Sequence, residues 1–179
     1  MTTLETTATA IPAGTWKADP AHSTFEFAVR HMGIATVKGR FTDVAAALVG
    51  GDDPALAGTI AVSSVDTHDE SRDGHLLSPD FFDAERFPEA RFESLRVDPD
   101  RVVGLLTLKG VTREIELAAR FDGEGKDPWG NERLGLELEG EIDRHDFGVS
   151  WNAPLPGGGL TLANDVALKA DLLFAKETK

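Results

Sequence analysis

Residues 111–121 read VTREIELAARF, and apolar side chains stand at alternate positions along most of this stretch. Successive side chains of a β-strand point to opposite faces of a sheet, so the alternation predicts a strand with one buried and one solvated face. The same pattern recurs over residues 134–142 and 166–174. The chain is therefore predicted to be built from strands.

Shorter stretches on either side predict further strands, over residues 15–18, 23–31, 37–49, 56–65, 91–97 and 102–109. Most are joined by short turns with Gly, Pro or Asp, which suits antiparallel pairing. An apolar strand face needs cover, and closing the sheet on itself both covers it and removes exposed edges. We predict an all-β fold, an eight-stranded antiparallel barrel with a short additional first strand. Such a barrel encloses its own side chains or one small ligand.

The alternation stops between Ser71 and Phe92, where the sequence reads SRDGHLLSPDFFDAERFPEARF. Leu and Phe residues fall there at helical spacings. Ser78-Pro79 is a typical helix start and Phe87-Pro88 a typical stop. We predict a short helical cap over the barrel, beginning at Ser78.

Length and charge limit the classes of protein that the chain can belong to. Its 179 residues suit one domain with a well-buried core, and a net charge of -13 opposes binding to nucleic acid. Residues 1–13 carry no basic segment followed by an apolar one, so they are predicted to be a disordered leader of a cytoplasmic protein, with the domain over 14–179.

Familiar signatures of metal and catalytic sites are missing from the sequence. The chain has no Cys, and its five His match no tight metal-ligand motif. There is no G-x-S-x-G, and Gly157-Gly158-Gly159 is not followed by the Lys of a phosphate-binding loop. No metal and no cofactor are expected.

One hairpin departs from the acidic balance of the chain. Residues 27–42, FAVRHMGIATVKGRFT, contain no acid but include Arg30, Lys38 and Arg40. This segment could hold an anionic head group or touch a membrane, but the pattern favours a solvated hairpin slightly more.

Four ordered motifs resemble the YceI-like family, polyisoprenoid-binding proteins of lipocalin-like fold. The first runs over residues 19–41, beginning Asp19-Pro20-Ala21-His22-Ser23 and ending Gly39-Arg40-Phe41. The others are Arg72-Asp73-Gly74-His75-Leu76 with Asp80-Phe81-Phe82 and Phe87-Pro88, the middle strand GLLTLKG at 104–110, and Asp127-Pro128-Trp129-Gly130 with Arg144, Asp146-Phe147-Gly148-Val149 and Trp151-Asn152. The likeness spans about residues 15–174. It implies an eight-stranded lipocalin-like barrel whose apolar tunnel holds a long isoprenoid, such as a polyprenyl phosphate or an isoprenoid quinone.

The resemblance and the alternation together predict a non-enzymatic carrier for such a lipophile. Its expected lining is Phe25, Phe27, Val29, Leu76, Phe81, Phe82, Leu105, Leu117, Leu136 and Phe147, and its expected head-group residues are Arg30, His31, Arg40 and Arg72. Two alternatives stay open. One is an enzyme acting on a hydrophobic substrate, with Asp73 and His75 as acid and base, although these residues can also pin the cap to the barrel. The other is a barrel filled by its own side chains. A transient membrane contact and a homodimer are further expectations.

Overall fold

A computed structural model describes residues 11–177, and eleven antiparallel strands account for most of them. The strands are β1 (Gly14–Ala18), β2 (Thr24–His31), β3 (Ala35–Phe41), β4 (Val44–Gly50), β5 (Ala55–Ala61), β6 (Val65–Asp66), β7 (Glu89–Val97), β8 (Arg101–Leu108), β9 (Val111–Lys126), β10 (Glu132–Asp143) and β11 (Leu162–Lys176). One helix, α1 (Glu70–Leu77), lies between β6 and β7. Short 3-10 turns span Pro20–His22, Val62–Ser64 and Arg144–Phe147.

The strands close into a barrel. Hydrogen bonds connect β1, β4, β5, β7, β8, β9, β10 and β11 in that order, and β11 returns to β1 with Trp16 opposite Lys176. The barrel wall thus has eight strand positions, and three of them hold two strands placed end to end. β2 shares a position with β1, β3 with β4, and β6 with β5. The predicted eight-stranded antiparallel barrel is confirmed, with the first short strand and the strand after it sharing one position.

One end of the barrel, which we call the filled end, is packed with side chains. Trp16, Leu48 and Phe174 are fully buried there, and Leu134 and Leu136 are nearly so. The inward face of each strand supplies these residues by the alternation seen in the sequence. This core leaves no large space at the filled end.

The opposite end, the cap end, carries α1. The side chain of Asp69 accepts from the backbone N–H of Arg72 and caps the helix start. The helix ends at Ser78, which has extended backbone angles because a residue before Pro is kept out of the helical region. The predicted short helical cap is confirmed, but its predicted start at Ser78 is wrong: α1 ends there, and turns cover the following residues. Among the described helices, none has the length and apolarity needed to cross a bilayer.

The predicted leader, residues 1–13, reaches into the part of the chain that the structure describes. Residues 1–10 lie outside the described residues. Ile11, however, is 6% exposed and packs in the filled end, and its carbonyl accepts from Gly51 N–H. Burial of this side chain fixes the chain by residue 11, three positions before the expected boundary.

Candidate ligand-binding cavity

A cavity of about 350 Å³ lies inside the barrel at its cap end. Apolar side chains of the strands form most of its wall, and Leu76, Phe81 and Phe82 of the cap complete it. Sites for small molecules typically measure roughly 300 to 1,000 Å³ and have this composition. The size and lining suit an apolar ligand.

A smaller cavity of about 80 Å³ adjoins the first on the side of the filled end. Both cavities are bordered by Phe25, Ile60, Ala90, Leu106 and Leu168, which we call the neck. Beyond the neck, the small cavity reaches Leu117 and Leu172 of the buried core. The interior therefore narrows from the cap toward the filled end.

Aromatic rings form two groups on the cavity wall. In the first, Phe41 contacts Phe25, Phe27 and Phe82, with ring centroids 6.0, 5.6 and 5.9 Å away. Gly39 lies opposite Phe27 across the β2–β3 pair, and a side chain at this glycine would collide with the Phe27 ring, since a Cβ there would be 2.3 Å from it. The glycine thus makes room for the ring on this wall.

The second aromatic group joins the cap to the loop after β10. The His75 ring meets both Phe81 and Trp151 edge-on at 4.9 Å, and Phe81 lies 5.4 Å from Trp151. Such tilted and edge-on contacts are the preferred arrangements of aromatic rings. This group holds the cap against that loop.

Six of the residues predicted to line the tunnel border the cavity. They are Phe25, Phe27, Val29, Leu76, Phe81 and Phe82. The other four lie elsewhere, for three reasons. Leu105 is opposite Glu93 and Glu114, so it points to the outer face of the barrel, while its neighbour Leu106 borders the cavity.

Leu117 and Leu136 point inward, as predicted, but at the wrong height in the barrel. Both are packed in the core of the filled end, where Leu117 borders only the small cavity. Phe147 lies in the 3-10 turn after β10, is 1% exposed and packs in the same cluster as Phe81, behind the cavity wall. Alternation predicts which face a residue is on but not how far along the barrel it lies.

Of the four predicted head-group residues, His31 and Arg72 border the cavity. Arg30 lies on the outer face, where it donates to the hydroxyl of Thr36 and the carbonyl of Gly33. Arg40 is likewise outside and forms an ion pair with Asp66 at 3.5 Å. The strand alternation that turns Phe27 and Val29 inward turns Arg30 outward, and neither Arg30 nor Arg40 borders the cavity.

The most informative residue that the predicted site omitted is Arg144. This side chain borders the cavity and is only 4% exposed. Its Nε donates to Ala163 O and its Nη1 to Val149 O and Trp151 O, all at 2.8 Å. Burial lowers the pKa of its guanidinium, and the charge of Asp143 acts in the opposite direction. Trp151, which also borders the cavity, was omitted as well, although both residues belong to the motif quoted above.

Asp73 and His75, the candidate acid and base, have separate partners. Asp73 Oδ1 accepts from both the backbone N–H and the hydroxyl of Thr67, which directly follows β6. His75 Nε2 lies 3.0 Å from Asp80 Oδ2. These contacts connect α1 to the strand before it and to the turn after it, which is the geometry expected of residues that hold the cap in place. Within residues 11–177, no three His, Asp or Glu side chains gather as a metal site requires.

The fold and the cavity define a class of protein: an antiparallel β-barrel that encloses an apolar chamber under a helical cap. A family model described as YceI-like domain matches residues 16–174. The chain belongs to this family, as the sequence motifs predicted.

Relatives and solved structures agree with this assignment. A UPF0312 protein of Staphylococcus aureus strain N315 is 37% identical over 162 residues, which make up 88% of this chain and 95% of the relative. A crystal structure of the Campylobacter jejuni YceI protein is 29% identical, with a TM-score of 0.69 over 83% of this chain and 90% of that one.

Two more distant structures share the fold. Burkholderia cenocepacia BcnA is 22% identical with a TM-score of 0.76, covering 87% of this chain and 98% of that one. A protein described as a polyisoprenoid binding domain from Saccharophagus degradans is 16% identical with a TM-score of 0.67, covering 90% and 98% of the two chains.

Proposed function

We propose that this protein is a carrier that sequesters an isoprenoid, or a similar lipophile, in the cavity at its cap end and catalyses no reaction on it. The observation that carries the proposal is the cavity of about 350 Å³ with an apolar wall, in a barrel whose other end is packed solid. The polyisoprenoid binding domain with the same fold supports the choice of ligand class. A polyprenyl phosphate and an isoprenoid quinone are the two specific candidates.

The contacts of Asp73 and His75 favour a carrier over an enzyme. A general acid and base must both reach the reacting atoms. Asp73 is engaged by Thr67 and His75 by Asp80, and neither carboxylate borders the cavity. These residues are better suited to positioning the cap than to moving protons on a ligand.

A membrane contact fits the surroundings of the cavity. Met32 and Ile34, at the tip of the β2–β3 hairpin, are 45% and 78% exposed, and Leu160 in the adjacent loop is 57% exposed. Met32 N–H donates to the carbonyl of Thr161, which borders the cavity. We infer that this apolar tip, flanked by Arg30, touches an anionic bilayer while the ligand enters or leaves. The net charge of -13 limits the contact to a transient one. The homodimer and the cytoplasmic location stay predictions from the sequence.

The bilayer also sets the energetic reference for binding. The cavity of about 350 Å³ holds a hydrocarbon chain of roughly 15 carbons. Such a chain gains about 12 kcal/mol on leaving water, at about 0.8 kcal/mol per CH₂. A lipid bilayer offers nearly the same gain, so net affinity over the membrane depends on the shape of the cavity and on contacts to the head group.

Extraction of the purified protein tests the proposal. The full chain is purified under native conditions from the organism that encodes it, beside an unrelated acidic protein of similar size, and both are extracted with organic solvent. Mass spectrometry is expected to show an isoprenoid lipid enriched with this protein alone. Equal lipid content in both extracts would contradict the proposal.

A further inference from the structure

The ionisable side chains on the cavity wall are all basic. Arg72, Arg144, His31 and His75 border the cavity, and no Asp or Glu is among the described residues that do. On a chain with 31 Asp and Glu against 18 Lys and Arg and five His, the opposite balance would be expected by chance. The described wall therefore carries guanidinium groups and no carboxylate.

The described arginines fall into two groups, those with a carboxylate partner and those without one. Seven arginines lie within 4 Å of a carboxylate: Arg40, Arg86, Arg91, Arg96, Arg101, Arg120 and Arg133. Among residues 11–177, Arg30, Arg72, Arg113 and Arg144 form no such ion pair, and all four lie at the cap end. Two of these four border the cavity.

Arg144 has hydrogen-bonding capacity left over. A guanidinium carries five N–H groups. Three of them donate to the carbonyls of Ala163, Val149 and Trp151, and the two on Nη2 are buried with no acceptor among the described residues. A buried cation is costly unless a charge and hydrogen bonds compensate it, so this site favours an additional anionic acceptor.

Arg72 approaches the same part of the cavity from the cap. It stands one helical turn before His75, which places both side chains on one face of α1. His75 contacts the Trp151 ring, and the carbonyl of Trp151 accepts from Arg144. The exposed Arg72 and the buried Arg144 are thus connected through His75 and Trp151 on one side of the cavity.

The nearest carboxylates lie behind this wall and have other partners. Thr67 separates Arg72 from Asp73, because its hydroxyl donates to Asp73 and accepts from Arg72 Nε. Asp80 contacts His75, and Asp143 contacts the ring and the backbone N–H of His145. None of the three borders the cavity.

We propose that Arg72 and Arg144 form a head-group site for an oxyacid anion, so that the ligand of the cavity is an anionic lipophile such as a phosphate monoester or a carboxylate, and not a neutral alcohol or quinone. This inference rests on the proposed function, since it concerns the polar end of the molecule whose chain fills the cavity. Phosphate and carboxylate share the acceptor chemistry that guanidinium groups bind best.

Three ligands with one chain test the proposal: farnesol, farnesoic acid and farnesyl monophosphate. Their dissociation constants for the delipidated full-length protein are measured by isothermal titration calorimetry. Charge-assisted hydrogen bonds predict that at least one anion binds about 10- to 100-fold more tightly than the alcohol, and the two anions compared with each other show which oxyacid is preferred. Equal affinities for all three would overturn the inference and leave the proposed function standing. Failure of all three to bind would overturn both.

Three variants test whether Arg72 and Arg144 cause the preference for an anion over the alcohol. Arg144→Met and Arg72→Met are each expected to reduce the ratio of anion to alcohol affinity at least several-fold, with the alcohol constant unchanged as evidence of an intact cavity. Arg113→Met is the matched control, because Arg113 is also unpaired at the cap end but does not border the cavity. Arg144→Met removes three hydrogen bonds to backbone carbonyls and so could prevent folding. In that case the ratio measured for Arg72→Met tests the proposal. The proposal would be overturned if the ratio of anion to alcohol affinity kept its wild-type value in the Arg72 variant. It would also be overturned if the ratio fell as much in the Arg113 control as in the Arg72 variant.

Discussion

The imidazole of His75 meets the indole of Trp151 edge-on, with ring centroids 4.9 Å apart. This contact connects the cap to the loop after β10, and both rings border the cavity. A molecule that enters the cavity therefore changes the surroundings of a fluorescent side chain.

Ligand binding is expected to change tryptophan emission through Trp151 alone. Trp16 is fully buried at the filled end, and Trp129 is 82% exposed in the β9–β10 loop. Titration with farnesol should shift or quench the emission of the wild type and of Trp129→Phe. The response should be absent in Trp151→Phe, and an unchanged response there would place the ligand elsewhere.

Removal of the Asp73 carboxylate should loosen the cap. Thr67 is 3% exposed and donates to Asp73 through both its backbone N–H and its hydroxyl, so Asp73→Ala leaves two buried donors unpaired. The expected loss is about 1 to 3 kcal/mol in the free energy of unfolding, measured with urea. Ser71→Ala, on the exposed side of the same helix, should change it by less than about 0.5 kcal/mol. A stable Asp73→Ala protein would contradict the anchoring role.

Asp127 should contribute to the loss of stability in acid. Burial acts to raise the pKa of this carboxyl, but hydrogen bonds from Asn131, Arg133 and Trp129 outweigh it and lower the pKa from 3.8 to about 2. A carboxyl with a lowered folded-state pKa stabilises the protein above its unfolded pKa of about 3.9, and this stability disappears as the pH falls toward 2.

To test this, the free energy of unfolding of the wild type and of two variants is measured between pH 5 and pH 2. Asp127→Asn should have a lower free energy of unfolding than the wild type at pH 5. On acidification to pH 2, this free energy should fall by less in the variant than in the wild type. Asp53→Asn, in the exposed turn between β4 and β5, serves as the control and should follow the wild type. Parallel curves for the wild type and Asp127→Asn would refute the assignment.

The size of the cavity predicts a limit on chain length. A cavity of 150 Å³ accommodates benzene, so about 350 Å³ holds roughly 15 carbons. Affinity for isoprenoid alcohols, measured by competition for one fluorescent ligand, should rise from two to three isoprene units and change little beyond about four. A steady gain up to eight units would show that the neck opens and the filled end repacks.

The exposed tip of the β2–β3 hairpin should determine binding to vesicles. Met32→Ser combined with Ile34→Ser removes two exposed apolar side chains and is expected to reduce co-sedimentation with anionic phospholipid vesicles at least several-fold. Leu95→Ser is the control, because Leu95 is 57% exposed but lies on β7, away from the cap end. Equal loss in both variants would argue against a specific contact.

The sequence was sufficient for the strands and the barrel because alternation is a direct consequence of strand geometry. It was less informative where both neighbours are apolar, as at Leu105 and Leu106, since either could have faced inward. Ser78-Pro79 predicts a helix start, but Asp69 caps α1 and Ser78 ends it, because the residue before a proline is kept out of the helical region.

The cavity was harder to predict than the barrel. Leu136 and Phe25 both point inward on their strands, yet only Phe25 borders the large cavity, because height along the barrel depends on strand register and on the bulges in β9–β10 and β2–β11 pairing. Arg144 was missed for a different reason. An arginine after a strand of alternating Glu residues is typical of a solvated turn, and only the folded loop reveals the three carbonyls that bury it.

Native mass spectrometry of a cavity-filled variant tests the central claim most directly. Ala90 is 5% exposed and borders the cavity at the neck, so Ala90→Phe puts a ring into the space proposed for the ligand. Ala118→Phe, at an exposed position of β9, adds the same ring outside the barrel. With farnesol present, a one-to-one complex is predicted for the wild type and Ala118→Phe, and its loss for a folded Ala90→Phe. Equal complex formation by all three proteins would contradict a ligand site inside the barrel.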